Sequence, residues 1–136
     1  MILFQLNGKN TQGENIADNG GVHESFRAYK KSVDSLGPEP ALPGLTQFTP
    51  EQMFFVSFSQ VWCEIATPES LLGQVGIAGY LQLASNKHVL VQVLGDPHSP
   101  GKFRVWGPLS NSPDFVREFQ CPAGSNMNRD EKCSLW

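Results

Sequence analysis

Two carboxylates four residues apart, Glu14 and Asp18, have a spacing that could support chemistry. Side chains at positions i and i+4 lie on the same face of a helix, so a helix beginning near residue 12 would direct both carboxylates to one site. Thr11 and Glu14 also have the spacing of a capping box, in which Glu14 would only begin the helix and Asp18 would lie in its electropositive first turns. Spacing alone favours the capping interpretation, because paired acids are common near helix starts.

The residues around these carboxylates carry a more specific signal. The two acids lie in Gly13-Glu14-Asn15-Ile16-Ala17-Asp18-Asn19-Gly20-Gly21, preceded by Leu6-Asn7-Gly8-Lys9. Further stretches follow in order: Gln52-Met53-Phe54-Phe55, Gln60-Val61-Trp62-Cys63, Asp96-Pro97-His98-Ser99-Pro100, Phe103-Arg104-Val105 and residues 127–136. This series closely resembles the C-terminal motifs of the neprilysin and endothelin-converting-enzyme family of zinc endopeptidases. Because several motifs occur in the family's order, the resemblance is stronger than any one motif would be.

The resemblance implies a metal-centred reaction. Glu14 matches the third ligand of the family's catalytic zinc ion (Zn2+), and Asp18 matches the carboxylate that orients a ligating histidine. His98 matches the histidine that donates a hydrogen bond to the oxyanion formed when zinc-bound water attacks the peptide carbonyl, which stabilises the transition state. Without the resemblance, His98 would be interpreted as an ordinary polar residue on a loop.

The resemblance also implies residues that bind a peptide substrate. Arg104 matches a residue that hydrogen-bonds the substrate backbone beyond the scissile bond, a role that suits the planar guanidinium group. Val61 and Trp62 match positions that help to line the pocket for the hydrophobic residue just after the scissile bond. From residue type alone, Arg104 could be an exposed arginine after a strand, and buried aromatic residues such as Trp62 most often serve packing.

Helices must position most of these residues. The first is predicted to begin at Thr11 and to stop at Gly37, which is followed by Pro38. An apolar stripe predicts its buried face: Val22, Phe26, Tyr29 and Val33. Residues 38–48 contain three prolines and a glycine and are predicted to be a loop. A second helix is predicted to begin with a capping box between Thr49 and Gln52, and its apolar sequence indicates burial on most faces.

The rest of the chain is less regular. Residues 73–90 have no clear period and depart from the family, in which the flanking motifs lie much closer together; an atypical insertion here could be a surface loop, an alternative-exon insertion or retained intron sequence. Val89, Val91 and Val93 alternate like a short strand. After Gly107 and Pro108, a last short helix is predicted to begin at residues 112–114 and to end at residues 121–122.

Together these features predict a mainly α fold with one or two short strands. The resemblance implies that residues 1–136 form a partial C-terminal peptidase domain, the helical lobe that closes one side of a thermolysin-like cleft. The parent enzyme is expected to be a zinc metalloendopeptidase that hydrolyses peptides on the amino side of hydrophobic residues. The implied partners are a peptide substrate and the missing N-terminal part of the peptidase.

The ligand set of such an enzyme is incomplete in this sequence. A catalytic zinc of this class takes two histidines from H-E-x-x-H and one glutamate, and the sequence contains no H-E-x-x-H. The nearest string begins at His23-Glu24 and lacks the second histidine. We therefore expect the isolated chain to be inactive. Two alternatives remain: a non-functional gene fragment, or a non-catalytic interaction module that exposes an aromatic patch made of Phe54, Phe55, Phe58 and Trp62.

Composition excludes some classes of function. A net charge of −3 without a basic stripe gives no reason to expect nucleic-acid binding, and no apolar run is long enough to cross a bilayer. Residues 1–4 lack the charged start and long apolar region of a signal peptide, so we expect no targeting signal in this sequence. Cys63, Cys121 and Cys133 are odd in number and cannot all pair with one another. The resemblance implies disulfides to upstream segments and an extracellular or cell-surface location for the full-length parent.

Overall fold

The computed structural model describes residues 3–6, 8–65, 90–93 and 97–133, and this part of the chain is mainly helical. It contains helices α1 (Gln12–Leu36), α2 (Pro50–Val61), α3 (Gly101–Asn111) and α4 (Pro113–Phe119), and strands β1 (Leu3–Leu6) and β2 (Leu90–Val93). The strands pair in parallel, with Leu3 opposite Leu90 and Leu6 opposite Val93. The mainly α fold with short strands is thus confirmed. The predicted insertion at residues 73–90 lies outside the described residues except for Leu90.

Helix α1 has the buried face that its apolar stripe predicts. Val22 and Phe26 are buried, and Tyr29 packs partly buried against them. The helix ends at Leu36, and Gly37 adopts a φ of 91° while its N–H donates to the carbonyl oxygen of Val33. Because a positive φ strains any residue with a Cβ, glycine suits this C-cap.

The capping box predicted between Thr11 and Glu14 is wrong. Thr11 does occupy the N-cap position, but its side chain makes no capping hydrogen bond to the helix backbone. Thr11 is fully buried, and its hydroxyl oxygen accepts a 3.0 Å hydrogen bond from Asn15 Nδ2. The Glu14 carboxylate accepts instead from Arg104. Thr11 therefore pairs with Asn15 one turn along the same helix, and Glu14 pairs with the distant Arg104.

The capping box at α2 is confirmed. Thr49 Oγ1 accepts from the Gln52 N–H at 3.1 Å, Gln52 Oε1 accepts from the Thr49 N–H at 3.1 Å, and Pro50 follows the cap. Phe55 is 1% exposed and stacks on Phe26 with ring centroids 4.8 Å apart. An aromatic surface patch containing Phe55 is therefore a wrong expectation, because α1 covers this ring.

Helix α3 was not predicted, since Gly107 and Pro108 indicate a break. Pro108 has no N–H to donate within the helix, which normally disfavours it there. In this helix Pro108 and Leu109 are buried, and α3 packs against α1. Burial of this face compensates for the lost hydrogen bond. Helix α4 follows at once, and its predicted start is confirmed: Ser112 Oγ accepts from the Phe115 N–H at 3.1 Å.

Candidate active site

Arg104, on α3, joins the two carboxylates of α1. Its Nε donates to Asp18 Oδ2 at 2.7 Å and its Nη2 donates to Asp18 Oδ1 at 2.7 Å. The same Nη2 donates to Glu14 Oε2 at 3.3 Å. The side chains of Arg104 and Asp18 are only 13% and 9% exposed. This fork geometry gives strong, charge-assisted hydrogen bonds and holds the guanidinium in one orientation.

His98 lies beside the same carboxylate. Its Nε2 is 3.6 Å from Glu14 Oε2, and the two side chains are 50% and 39% exposed. The distance is beyond hydrogen-bond range, so the contact is electrostatic and requires a protonated imidazole to be an ion pair. Glu14 thus faces both His98 and Arg104 at the solvent-accessible edge of the cluster.

The ring of Trp62 lies against the guanidinium of Arg104. The guanidinium carbon lies 3.9 Å from the centroid of the Trp62 ring, a cation–π arrangement. Trp62 reaches it because α2 ends next to the start of α3: a Cβ built on Gly101 would lie 2.9 Å from the Trp62 carbonyl oxygen. Only a residue without a side chain permits this approach.

Val61 does not join the cluster. It is 74% exposed and lies on an open groove between α1, the following loop and α2. The groove is lined mainly by apolar side chains, including Tyr29, Leu42, Met53, Phe54 and Phe58. Successive helical residues are rotated by about 100°, which directs Val61 away from the Trp62 side of α2. Of the residues predicted to form a site, the structure therefore brings together Glu14, Asp18, His98, Arg104 and Trp62.

Polar residues that sequence reasoning missed connect these elements. Ser99 Oγ donates to Asn15 Oδ1 at 2.8 Å, next to His98 and Glu14 in the sequence. Asn111 Nδ2 donates to Asn19 Oδ1 at 2.9 Å and joins α3 to α1. The only sequence signal was that Asn15 and Asn19 lie within the same motif as the two acids, on a helix whose interior otherwise disfavours asparagine.

The donor set of the described residues does not by itself fit a catalytic zinc ion. Such a site needs three protein ligands with nitrogen, sulfur or oxygen donors. No group of three or more His, Cys, Asp and Glu side chains is arranged to hold a metal within the described ranges. His23, in the incomplete H-E string, contacts its neighbour Glu24 at 3.3 Å. Glu14 offers a single carboxylate, which does not make such a site by itself.

The cysteines are all thiols within the described part of the chain. Cys63 and Cys133 are exposed and Cys121 is partly buried, and none forms a disulfide. The implied disulfides to upstream segments therefore remain a prediction. None of the described helices combines the length and apolar character needed to cross a membrane.

Comparison with known proteins identifies the family. The model of peptidase family M13 matches residues 2–79 and 75–135. The chain is 48% identical to Neprilysin-11 of Caenorhabditis elegans and 47% identical to Neprilysin-2 of Drosophila melanogaster, over 98% of its length in both cases. It is 45% identical to human Endothelin-converting enzyme 1 over 96% of its length. The chain therefore belongs to peptidase family M13.

The matching proteins are much longer. The chain spans 14% of Neprilysin-11, 15% of Neprilysin-2 and 14% of human Endothelin-converting enzyme 1. A solved structure titled Haemonchus galactose containing glycoprotein complex superposes with a TM-score of 0.77 at 37% identity. That match covers 96% of this chain and 20% of the solved chain.

Proposed function

We propose that this chain forms the C-terminal part of the active site of a zinc metalloendopeptidase. The enzyme would hydrolyse peptides on the amino side of hydrophobic residues, and its full-length form would act outside the cell or at the cell surface. The supporting observation is that Glu14 lies within 3.6 Å of both His98 and Arg104, in a chain of peptidase family M13. These residue types are the metal ligand, oxyanion donor and substrate donor that such a reaction needs.

Glu14 and Asp18 form the metal side of this proposal. Glu14 supplies one ligand, and two histidines come from an H-E-x-x-H segment outside this sequence. When bound, zinc polarises the peptide carbonyl and lowers the pKa of its water. Asp18 orients a ligating histidine: its two oxygens already accept from Arg104, yet each carboxylate oxygen has a second lone pair that can accept the histidine N–H.

His98 and Arg104 act on the peptide. His98 is half exposed beside Glu14, so its ring can donate to an oxyanion that forms near the metal. The guanidinium of Arg104 donates to a substrate carbonyl beyond the scissile bond. Its planar face packs on the ring of Trp62. Val61 lies apart from this cluster on the open groove, so its place in the pocket for the hydrophobic side chain stays a prediction of the resemblance.

The isolated chain is inactive in this proposal, because Glu14 alone cannot bind zinc usefully. A fluorogenic peptide with leucine or phenylalanine after the scissile bond tests this. We expect no turnover from the 136-residue chain with added zinc, and chelator-sensitive turnover once it is joined to the H-E-x-x-H part of its parent. Chelator-sensitive turnover by the chain alone would overturn the inactivity.

Variants of the joined enzyme test the residue assignments. Glu14→Gln should abolish zinc binding, whereas Glu24→Gln, an exposed carboxylate on the same helix, should leave zinc binding and turnover unchanged. His98→Ala should lower kcat by roughly 100- to 1000-fold with little change in KM, because the oxyanion exists only in the transition state. Full zinc content and turnover in Glu14→Gln would contradict the ligand assignment.

A further inference from the structure

The loop that carries His98 is attached to α1 by hydrogen bonds among three polar side chains, of which the two outer ones are buried and Asn15 is partly buried. Ser99 Oγ donates to Asn15 Oδ1 at 2.8 Å, and Asn15 Nδ2 donates to Thr11 Oγ1 at 3.0 Å. Ser99 is 5% exposed and Thr11 is fully buried. Burying a hydroxyl or amide group without a hydrogen-bond partner costs free energy. These hydrogen bonds therefore strongly favour one arrangement of the loop and the helix.

These hydrogen-bonded side chains lie next to the proposed catalytic residues, both in the sequence and in space. Ser99 follows His98, and Asn15 follows Glu14, so the 2.8 Å hydrogen bond joins the backbones that carry the imidazole and the carboxylate. The direct contact between His98 Nε2 and Glu14 Oε2 is 3.6 Å and largely solvent-exposed, and therefore orients the ring weakly. The shorter, partly buried bond between Ser99 and Asn15 is the stronger constraint on where His98 lies.

We propose that Asn15 and Ser99 are positioning residues that hold His98 at its working distance from Glu14. This inference rests on the proposed function, in which His98 donates to the oxyanion. Neither side chain is assigned a contact with the peptide. The Ser99 hydroxyl is buried and donates to Asn15, and the Asn15 amide donates to Thr11. The reason such a pair matters is geometric: a misplacement of about 1 Å at a catalytic group can lower a rate roughly 100-fold.

The 136-residue chain itself provides the test, through NMR of labelled histidine and glutamate. In the unsubstituted chain, a through-space cross-peak should join the His98 ring and the Glu14 side chain, and the Ser99 hydroxyl proton should exchange slowly enough with water to be observed. Ser99→Ala should weaken the cross-peak several-fold, and Ser99→Thr, which keeps the hydroxyl, should retain it. Ser59→Ala removes another partly buried hydroxyl, bonded to the Phe55 carbonyl on α2, and should leave the cross-peak unchanged.

The outcomes separate this inference from the proposed function. A cross-peak of undiminished intensity in folded Ser99→Ala would overturn the positioning role. If Ser99→Ala does not fold, the unsubstituted chain decides, and a rapidly exchanging Ser99 hydroxyl would overturn the role. In the joined enzyme, Ser99→Ala should lower kcat about 10- to 100-fold and leave KM within about twofold. An inactive unsubstituted enzyme would count against the proposed function alone, because the NMR comparison needs no turnover.

Discussion

Arg104 and Asp18 are 86 residues apart in the chain and share two hydrogen bonds of 2.7 Å, one from Nε and one from Nη2. The pair joins α3 to the second turn of α1 and is mostly shielded from solvent. It also brings the guanidinium within reach of Glu14, so that a structural ion pair and a proposed metal ligand share one cation. Stability and the proposed function therefore involve the same contact.

The first prediction concerns the loss of this shared cation. Arg104→Ala should lower the free energy of unfolding by about 3 kcal/mol, because Asp18 would remain as a buried, unpaired charge. Urea denaturation of the 136-residue chain measures the change. Arg27→Ala is the matched control: Arg27 pairs with Glu24 at 3.3 Å, but both side chains are more than half exposed. Arg27→Ala should lower the free energy of unfolding by less than about 1 kcal/mol. Equal losses in the two variants would contradict the prediction.

The second prediction concerns the aromatic core. Phe55 is 1% exposed and contacts Phe26, Phe54 and Phe115 at ring-centroid distances of 4.8–5.5 Å. Phe55→Ala should lower the free energy of unfolding by about 3–5 kcal/mol, because the neighbouring rings cannot fully close the cavity that the missing ring leaves. Thermal or urea unfolding provides the measurement. Leu36→Ala, at a leucine that is 85% exposed, should change stability by less than about 0.5 kcal/mol. A similarly small effect at Phe55 would show that this ring is not a core residue.

The third prediction concerns pH and the ion pair between α1 and α2. Lys30 Nζ donates to Glu51 Oε1 at 2.8 Å, and this hydrogen bond lowers the pKa of Glu51 and raises the pKa of Lys30. The pair's contribution to stability is therefore present above the pKa that Glu51 has in the unfolded chain. It is lost as the pH falls through the lower pKa of Glu51 in the folded chain. At the alkaline end, the same contribution is present below the pKa that Lys30 has in the unfolded chain. It is lost as the pH rises through the higher pKa of Lys30 in the folded chain.

Glu51→Gln tests that contribution. At neutral pH the variant should be less stable by at most about 1 kcal/mol, since Lys30 is 39% exposed and water screens the pair. The difference from the unsubstituted chain should shrink below the ordinary pKa range of a glutamate. Unfolding curves measured from pH 7 to pH 3 provide the comparison. A difference that stays constant over this range would contradict the ionic origin of the effect.

Local sequence signals predicted part of the fold well. The start of α2 at Thr49, the start of α4 at Ser112 and the end of α1 before Gly37 all depend on residues within four positions of one another. The buried face of α1 followed from helical periodicity, as Val22 and Phe26 demonstrate. Two failures have a tertiary cause: Glu14 pairs with the distant Arg104 instead of capping α1, and Pro108 lies inside a helix whose face is buried.

The sequence by itself determined the starts of α2 and α4, the end and the apolar face of α1, and the family, because these depend on residue types at short, regular spacings. Only the tertiary structure decided that Arg104 would pair with Asp18 and Glu14, that Trp62 would cover the guanidinium, and that Val61 would lie apart on an open groove. Those contacts join residues tens of positions apart. Their formation depends on how α2 and α3 pack against each other and α1, which no local pattern encodes.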